Sequence, residues 1–324
     1  MKAACLFVFC CCVGGAVFVS AKPDLLLVTG AAGTEEYGSL FAEWGGDWEG
    51  AAEKAEARFH QVGPVPAAEE ETVKDSLRAL LAEQPKQGPE PLWLVFIGHG
   101  TFDGRTAKFN LVGPDLSASE LGDWLEGFER PLVLLACFSS SAPFMKKPLA
   151  GKGRVVVTAT RSGFEQNFCR FGGALAKAMD DPAADLDKDG QTSLLEAWLA
   201  ASRSTAAFYA EEGRLATEHA LLDDNGDAKG TQADWYKGIN PVKTSAEKGL
   251  LPDGLRAHQL HLVPGENERA LTPEQRRRRD ALELDLARLR ARKAELEEED
   301  YFRRLETLLL DLGALYFPSD AASP

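Results

Sequence analysis

Two short apolar segments, each followed by a chemically reactive side chain, constrain this chain more than any other feature. Residues 91–98 (PLWLVFIG) lead into His99, and residues 131–136 (PLVLLA) lead into Cys137. Both segments have the length and composition of buried parallel strands. Parallel strands end at the same edge of a sheet, where open α/β sheets bind their ligands. We therefore expect His99 and Cys137 to emerge together at that edge.

The segments around this pair predict an α/β fold. Strand patterns at 24–30, 92–97, 132–136 and 154–160 are interspersed with helical patterns at 35–59, 72–83 and 117–128. Thirty-eight residues separate His99 from Cys137, which leaves room for a loop, a helix and a return into a neighbouring parallel strand. We predict a three-layer αβα sandwich with a mostly parallel sheet.

Composition narrows the class of partner. The chain has 324 residues, 44% of them hydrophobic, which is enough for one large domain or two ordinary ones. Its formal net charge is −14, with a pI near 4.9. Such a charge disfavours nucleic acid and anionic membrane surfaces as partners, and it suits the binding of cations.

The first 21 residues have the pattern of a secretory signal. Lys2 precedes an apolar run over residues 3–19, and a small-residue cleavage pattern ends at Ala21. We expect a secreted or periplasmic protein with no stable membrane insertion after cleavage; the alternative is an uncleaved anchor. Four of the six cysteines leave with the signal, so the mature chain keeps Cys137 and Cys169. A disulfide between these two is the structural alternative to a reactive Cys137.

A cysteine and a histidine at adjacent strand ends are typical of nucleophilic catalysis. Thiolate attack on a carbonyl needs an exposed nucleophile, an imidazole to transfer protons and donors for the oxyanion. Cys137 and His99 would supply the first two. Gly100 has no side chain, so its backbone N–H could approach the substrate carbonyl. The nearby serines at 139–141 lack a Gly-x-Ser-x-Gly elbow and are expected to build a turn.

At these residues the chain resembles the clan of cysteine peptidases that includes caspases, legumains, metacaspases and gingipains. LVFIGHG and LVLLACFSSS are similar to the clan's His-Gly and Ala-Cys strand ends, and the likeness spans residues 24–173. The resemblance implies a caspase/legumain-like fold, with His99 as general base and acid, Cys137 as nucleophile and Gly100 as an oxyanion contributor. It also implies a peptide or protein substrate.

Residues 154–168 (RVVVTATRSGFEQNF) look closest to the legumain-type enzymes. This implies that the pocket for the residue before the cleaved bond is bordered by Thr160, Arg161, Ser162 and Glu165. Ala136 and Phe138 depart from the family pattern, which leaves the substrate preference open. Arg161 alone would favour an acidic side chain, Glu165 alone a basic one, and both together a neutral amide such as asparagine.

Residues 185–196 fit the twelve-residue EF-hand calcium loop at every key position. Oxygen ligands are predicted from Asp185, Asp187, Asp189, Gln191 and Glu196, and Gly190 permits the sharp turn. We therefore predict bound Ca²⁺, with an acidic helix-capping turn as the alternative. A second acidic run at 223–228 can be placed on the same frame with Asp234 in last position, although Ala228 replaces the turn glycine.

These features suggest five regions: the signal at 1–21, a peptidase-like core at 22–182, the calcium-loop region at 183–254, a strand and linker at 255–267, and a long charged helix at 268–324. Apolar residues of the last region recur three, four or seven positions apart, except for one six-residue step between Leu296 and Phe302. The pattern over 271–316 suits a homo-oligomer or a partner helix; alternatively the helix packs on the core or folds back as a hairpin.

We thus expect a cysteine endopeptidase with structural or regulatory calcium. A transpeptidase is compatible with the same acyl-enzyme. The main alternative is a catalytically inactive, calcium-binding scaffold of the same fold that binds partners through its C-terminal helix.

Overall fold

The computed structural model describes residues 22–65, 71–243 and 249–317, so the predicted signal segment lies outside the described residues. The strands are β1 (Asp24–Thr29), β2 (Arg58–Val62), β3 (Leu92–Gly98), β4 (Gly100–Phe102), β5 (Ala107–Phe109), β6 (Leu116–Ser117), β7 (Leu132–Phe138), β8 (Arg154–Thr158), β9 (Leu221–Asp223), β10 (Thr231–Gln232), β11 (Tyr236–Lys237) and β12 (Asn240–Pro241). The helices are α1 (Glu35–Lys54), α2 (Val73–Glu83), α3 (Ala118–Trp124), α4 (Phe171–Ala178), α5 (Leu194–Glu211), α6 (Leu255–Gln259), α7 (Glu266–Ala270), α8 (Pro273–Ala291) and α9 (Glu298–Tyr316).

A seven-stranded sheet organises these elements in the order β10-β9-β8-β7-β3-β1-β2. The five strands from β8 to β2 are mutually parallel, and β9 and β10 add an antiparallel edge. The predicted α/β class with a mostly parallel sheet is confirmed. The His99 strand β3 and the Cys137 strand β7 are direct neighbours, as the spacing between them requires.

Both faces of the central strands β1, β3, β7 and β8 are buried, which explains why these strands read as nearly continuous apolar runs. In β3 and β7 the odd-numbered side chains face a cluster that includes α1, α4 and α5, and the even-numbered ones face a second cluster that includes α2 and α3. Helix starts follow local signals: capping boxes open α2 at Thr72, α3 at Ser117 and α5 at Ser193.

A buried ion network holds the amino ends of the central strands. The Asp24 carboxylate accepts hydrogen bonds from Arg58 at 2.6 Å and from Arg130 at 2.8 Å. Burial opposes ionisation of Asp24, but these two partners outweigh it and lower the pKa of the carboxyl. The network thus ties β1 to β2 and to the segment before β7, at the edge of the sheet opposite His99.

The C-terminal third differs from expectation in two ways. The strand expected within 255–267 is wrong, because residues 255–259 form α6: Asp224 accepts the backbone N–H of Ala257, and Gly254 turns the chain with a φ of +114°. The single long helix is also wrong, because residues 292–297 interrupt it, largely before the six-residue step that starts at Leu296. The alternative given for this segment, a helix that folds back as a hairpin, is confirmed by the packing of α8 against α9. Among the described residues, no helix is both long and apolar enough to cross a membrane.

Candidate functional site

Strand register places His99 and Cys137 near one another, but His99 lies beyond the end of its strand and Cys137 lies within its strand. Ile97 of β3 pairs with Cys137 of β7, so His99 lies two residues beyond this level, outside the strand. β7 continues to Phe138, which means that Cys137 is inside the strand and not past its end. The expectation that the cysteine emerges from the sheet is therefore wrong. Strand alternation points its side chain into the cluster beneath α1 and α4, on the same face as Leu135.

The Cys137 thiol is completely enclosed. Its exposed fraction is 0%, and the start of α4 passes so close that a Cβ on Gly172 would lie 2.9 Å from the Cys137 Cβ. Burial raises the pKa of the Cys137 thiol far above its usual range, and the nearby Glu218 carboxylate raises it further. Because a nucleophile must be accessible to its substrate, this thiol is out of reach of a substrate carbonyl in the structure described.

His99 is half-buried among aromatic rings. Its ring centroid lies 4.8 Å from that of Tyr37, 5.4 Å from Phe41 and 5.8 Å from Phe168. The Nε2 atom is 3.2 Å from the carbonyl oxygen of Ala32. Burial lowers the pKa of His99, and the carbonyl only partly offsets this effect. Burial among rings therefore favours the neutral form of the imidazole.

Gly100 does not offer a free amide to a substrate. Its N–H donates to Ser139 Oγ at 3.0 Å, and Ser139 Oγ in turn donates to the Gly100 carbonyl at 3.1 Å. A Cβ at Gly100 would lie 2.2 Å from the Ser139 carbonyl oxygen, which explains the glycine by close approach of two backbones. The amide predicted to stabilise an oxyanion is thus occupied by a neighbouring serine.

The four residues predicted to border a substrate pocket lie in one loop, and each has a hydrogen-bond partner within the protein. Thr160 is fully buried and its Oγ1 accepts the N–H of Ala142, while Ser162 Oγ accepts the N–H of Phe164. The Arg161 Nε lies 3.4 Å from Glu165 Oε1, and the Arg161 N–H donates to Glu165 Oε2 at 2.9 Å. The two charges pair with each other and do not present separate recognition groups.

Two further residues near the loop were not foreseen. His219 Nδ1 lies 2.6 Å from Glu165 Oε1. Glu218, 3% exposed, accepts the backbone N–H groups of Arg170 and Phe171 and so caps α4 directly above Cys137. Burial raises the pKa of Glu218, against these donors. The pair Glu218–His219 precedes β9 with no local motif, so no sequence signal could have assigned these roles.

The predicted calcium loop turns back on its acidic side chains. Asp185 accepts the N–H groups of Lys188 and Gly190, and oxygens of Asp185, Asp187 and Asp189 lie within 4.8 Å of one another. Burial raises the pKa of Asp189, although hydrogen bonds from Gln191 oppose this. Carboxylates concentrated in this way are suitable ligands for a hard divalent cation.

Glu196, which would close the calcium site, is 1% exposed at the start of α5. Its Oε1 accepts the N–H of Leu186 at 2.7 Å, and its Oε2 accepts both the N–H and the hydroxyl of Ser193. Gln191 Oε1 accepts the N–H of Gly265. Glu196 therefore occupies the last position of the predicted calcium loop and also takes part in the capping box of α5. Helix capping is the alternative interpretation of this loop given above.

The second acidic run repeats the hydrogen bonding of the first. Asp223 accepts the N–H groups of Gly226 and Ala228, three and five residues on, as Asp185 does in the first loop. Ala228 adopts the left-handed conformation, with a φ of +62°, where the first loop has Gly190 at +90°. Ala228 thus adopts the left-handed turn conformation that Gly190 adopts in the first loop.

No protein-family model and no curated protein matches the chain. Among solved structures, the initiator caspase Dronc of Drosophila is similar at 15% identity and a TM-score of 0.40, over 65% of this chain and 83% of that one. Caspase-1 from Spodoptera frugiperda is similar at 10% identity and a TM-score of 0.40, over 63% and 86%. Likeness at this level assigns no activity, so the function has to be judged from the residues of this chain.

Proposed function

We propose that this chain is an exported, catalytically silent, calcium-binding scaffold with a peptidase-like αβα fold. One observation carries the proposal: the Cys137 thiol is fully enclosed beneath α4. A cysteine peptidase needs its sulfur within reach of a carbonyl carbon, and here packed protein atoms occupy that space.

The surroundings of His99 support the same conclusion. Phe168, which contacts His99, stacks on Trp44 with ring centroids 5.8 Å apart. Trp44 also contacts the Gly172 position that covers Cys137. The space between imidazole and thiol is therefore part of the hydrophobic core, which stabilises the fold at the expense of a substrate cleft.

Two other features give the scaffold its positive role. The loop at 185–196 supplies clustered carboxylates for Ca²⁺, which would brace the connection between α4 and α5. Helix α9 presents apolar side chains to solvent: Phe302 and Leu309 are each 48% exposed, and Leu310 is 67% exposed. Such a face is suited to a partner helix or a second copy of the chain.

Calorimetric titration of the full chain with CaCl₂ tests the metal-binding half of the proposal. We expect saturable binding that Asp185→Asn weakens at least about tenfold, because this change removes a charged oxygen ligand. Asp123→Asn, at an acidic position on α3 outside the loop, is the control and should leave binding unchanged. Absence of calcium binding by the wild type would remove this half.

Labelling with a peptidyl electrophile tests catalytic silence. We expect no labelling of Cys137 in the native protein, with or without calcium. Labelling that is abolished by His99→Ala would overturn the proposal and identify a working dyad.

A gated cysteine peptidase is the second candidate, and the pairing of Ile97 with Cys137 favours it because it keeps imidazole and thiol at neighbouring strand ends. In that case Phe168 would act as the gate, since it contacts His99 from the loop before α4. Phe168→Ala would then make Cys137 reactive toward the electrophile in the native state. No gain in labelling, with the fold intact by circular dichroism, would leave only the scaffold.

A further inference from the structure

An imidazole from outside the calcium loop reaches into it. His258 on α6 places its Nε2 2.9 Å from Asp187 Oδ2, and ligand atoms of Asp187, Glu196 and His258 lie within 4.8 Å of one another. We propose that these three residues bind a transition-metal ion such as Zn²⁺. The inference deepens the proposed calcium function, because it shares Asp187 and Glu196 with that site but predicts a second class of ion.

The distances suit a small cation. A metal held by nitrogen and carboxylate ligands at about 2.0–2.2 Å needs ligand atoms roughly 3 to 4.4 Å apart. The 2.9 Å between His258 Nε2 and Asp187 Oδ2 lies just below this range, and the three ligand atoms are within 4.8 Å of one another. The first pair would open slightly around an ion, and any longer separation would contract. The ion would replace the proton that now bridges imidazole and carboxylate.

Donor chemistry determines which ion is favoured. Ca²⁺ takes oxygen ligands, as the loop itself provides. A neutral imidazole nitrogen is a good ligand for Zn²⁺, Ni²⁺ and Cu²⁺ and adds little to calcium binding. One nitrogen and two carboxylates therefore form a site that a loop of carboxylates alone would not make.

His258 is positioned independently of the calcium loop. Its helix α6 starts at Gly254, and Asp224 Oδ2 accepts the N–H of Ala257, the residue before His258. Asp253, just before this start, accepts the N–H groups of Asp224 and Asn225. The buried acidic run at 223–228 thus fixes the helix that carries the imidazole.

The triad is also within reach of solvent. The side chains of His258 and Asp187 are each 27% exposed, while Glu196 is buried and held by Ser193. An ion could enter from the exposed side and meet a fixed carboxylate behind it. Because Asp187 serves both arrangements, bound zinc and bound calcium should influence each other's affinity reciprocally.

The test is calorimetric titration of the full chain with ZnCl₂ and, separately, with CaCl₂, in wild type, His258→Ala and His258→Gln. We expect His258→Ala to weaken zinc binding at least about tenfold and to change calcium binding less than about threefold, since only the nitrogen ligand is lost. His219→Ala is the matched control: His219 also pairs with a carboxylate, Glu165, but has no part in the triad. It should leave zinc binding unchanged.

Cobalt absorption gives a second measurement. Co²⁺ bound to the wild type should show d–d bands that shift or weaken in His258→Gln, which keeps a polar side chain and so preserves the fold. Equal zinc affinity in wild type and His258→Ala would overturn the inference while leaving the calcium proposal intact. If the wild type binds zinc but not calcium, the calcium proposal is wrong and the zinc inference stands.

Discussion

The His99–Cys137 strand ends and the acidic loop at 185–196 both follow from short patterns, but the structure shows different amounts of their predicted geometry. In the loop, local turns bring oxygens of Asp185, Asp187 and Asp189 within 4.8 Å of one another, while Gln191 and Glu196 accept backbone N–H groups. At the strand ends, the pattern places two residues on adjacent strands but does not control what covers them. Gly172 and Phe168 arrive from more than thirty residues beyond Cys137 and close the space. A contiguous motif fixes its own geometry, whereas a motif split between strands depends on distant packing.

Thiol protection is the largest effect that could break this comparison. Alkylation of Cys137 should be about a thousandfold slower in the native protein than in urea, because a fully enclosed thiol reacts only after the core opens. The experiment uses the Cys169→Ala variant, so that alkylation reports on Cys137 alone, because Cys137 and Cys169 are both free, buried thiols. Mass spectrometry of tryptic peptides provides the rates. Native alkylation at the rate of an exposed thiol would show that the strand end is open.

Gly172→Ala should destabilise the protein by about 2 kcal/mol, because the added methyl group must fit 2.9 Å from the Cys137 Cβ. Gly151→Ala is the control: a Cβ there meets no atom within 4 Å, so the free energy of unfolding should change by less than about 0.5 kcal/mol. Urea denaturation measures both. Equal effects would mean that α4 does not press on the strand end.

The pH dependence of the stability of Asp253→Asn tests the role of Asp253 just before α6, the helix that carries His258. Burial raises the pKa of Asp253 to about 7, above its ordinary value near 3.8. A carboxyl with a raised folded-state pKa favours folding when protonated, so its contribution falls as pH rises from about 4 to 7. The free energy of unfolding of the variant, relative to that of the wild type, should therefore rise by about 1 kcal/mol or more between pH 5 and pH 8. Thermal melts at both values measure this, and a constant difference would contradict the assignment.

The smallest effect concerns the start of α5. Ser193→Ala removes the hydroxyl that caps the helix and binds Glu196, and it should cost about 1 kcal/mol of stability. Ser202→Ala lies within the same helix and loses only a bond to the Trp198 carbonyl, so its effect should be smaller. If the two variants melt together, Glu196 is not held in place by its capping box.

Much of the architecture could be read from local signals. Continuous apolar runs identified the parallel strands, and Ser117 before Glu120 marked the start of α3. The break between α8 and α9 at residues 292–297 lies largely before the six-residue step that starts at Leu296, so the apolar pattern predicts a hairpin as an alternative but does not locate its turn. The strand predicted within 255–267 is a helix instead, because Asp224, more than thirty residues earlier, accepts the backbone N–H of Ala257.

Periodicity and contiguous spacing are sufficient to predict the alternation of strands and helices and the acidic loop, and they allow β3 and β7 to be neighbours. Packing between distant segments encloses Cys137, bonds Gly100 to Ser139 and brings His258 to Asp187. Those outcomes depend on contacts between residues far apart in the chain, and the close packing of a protein interior decides them after the strands and helices have been assigned.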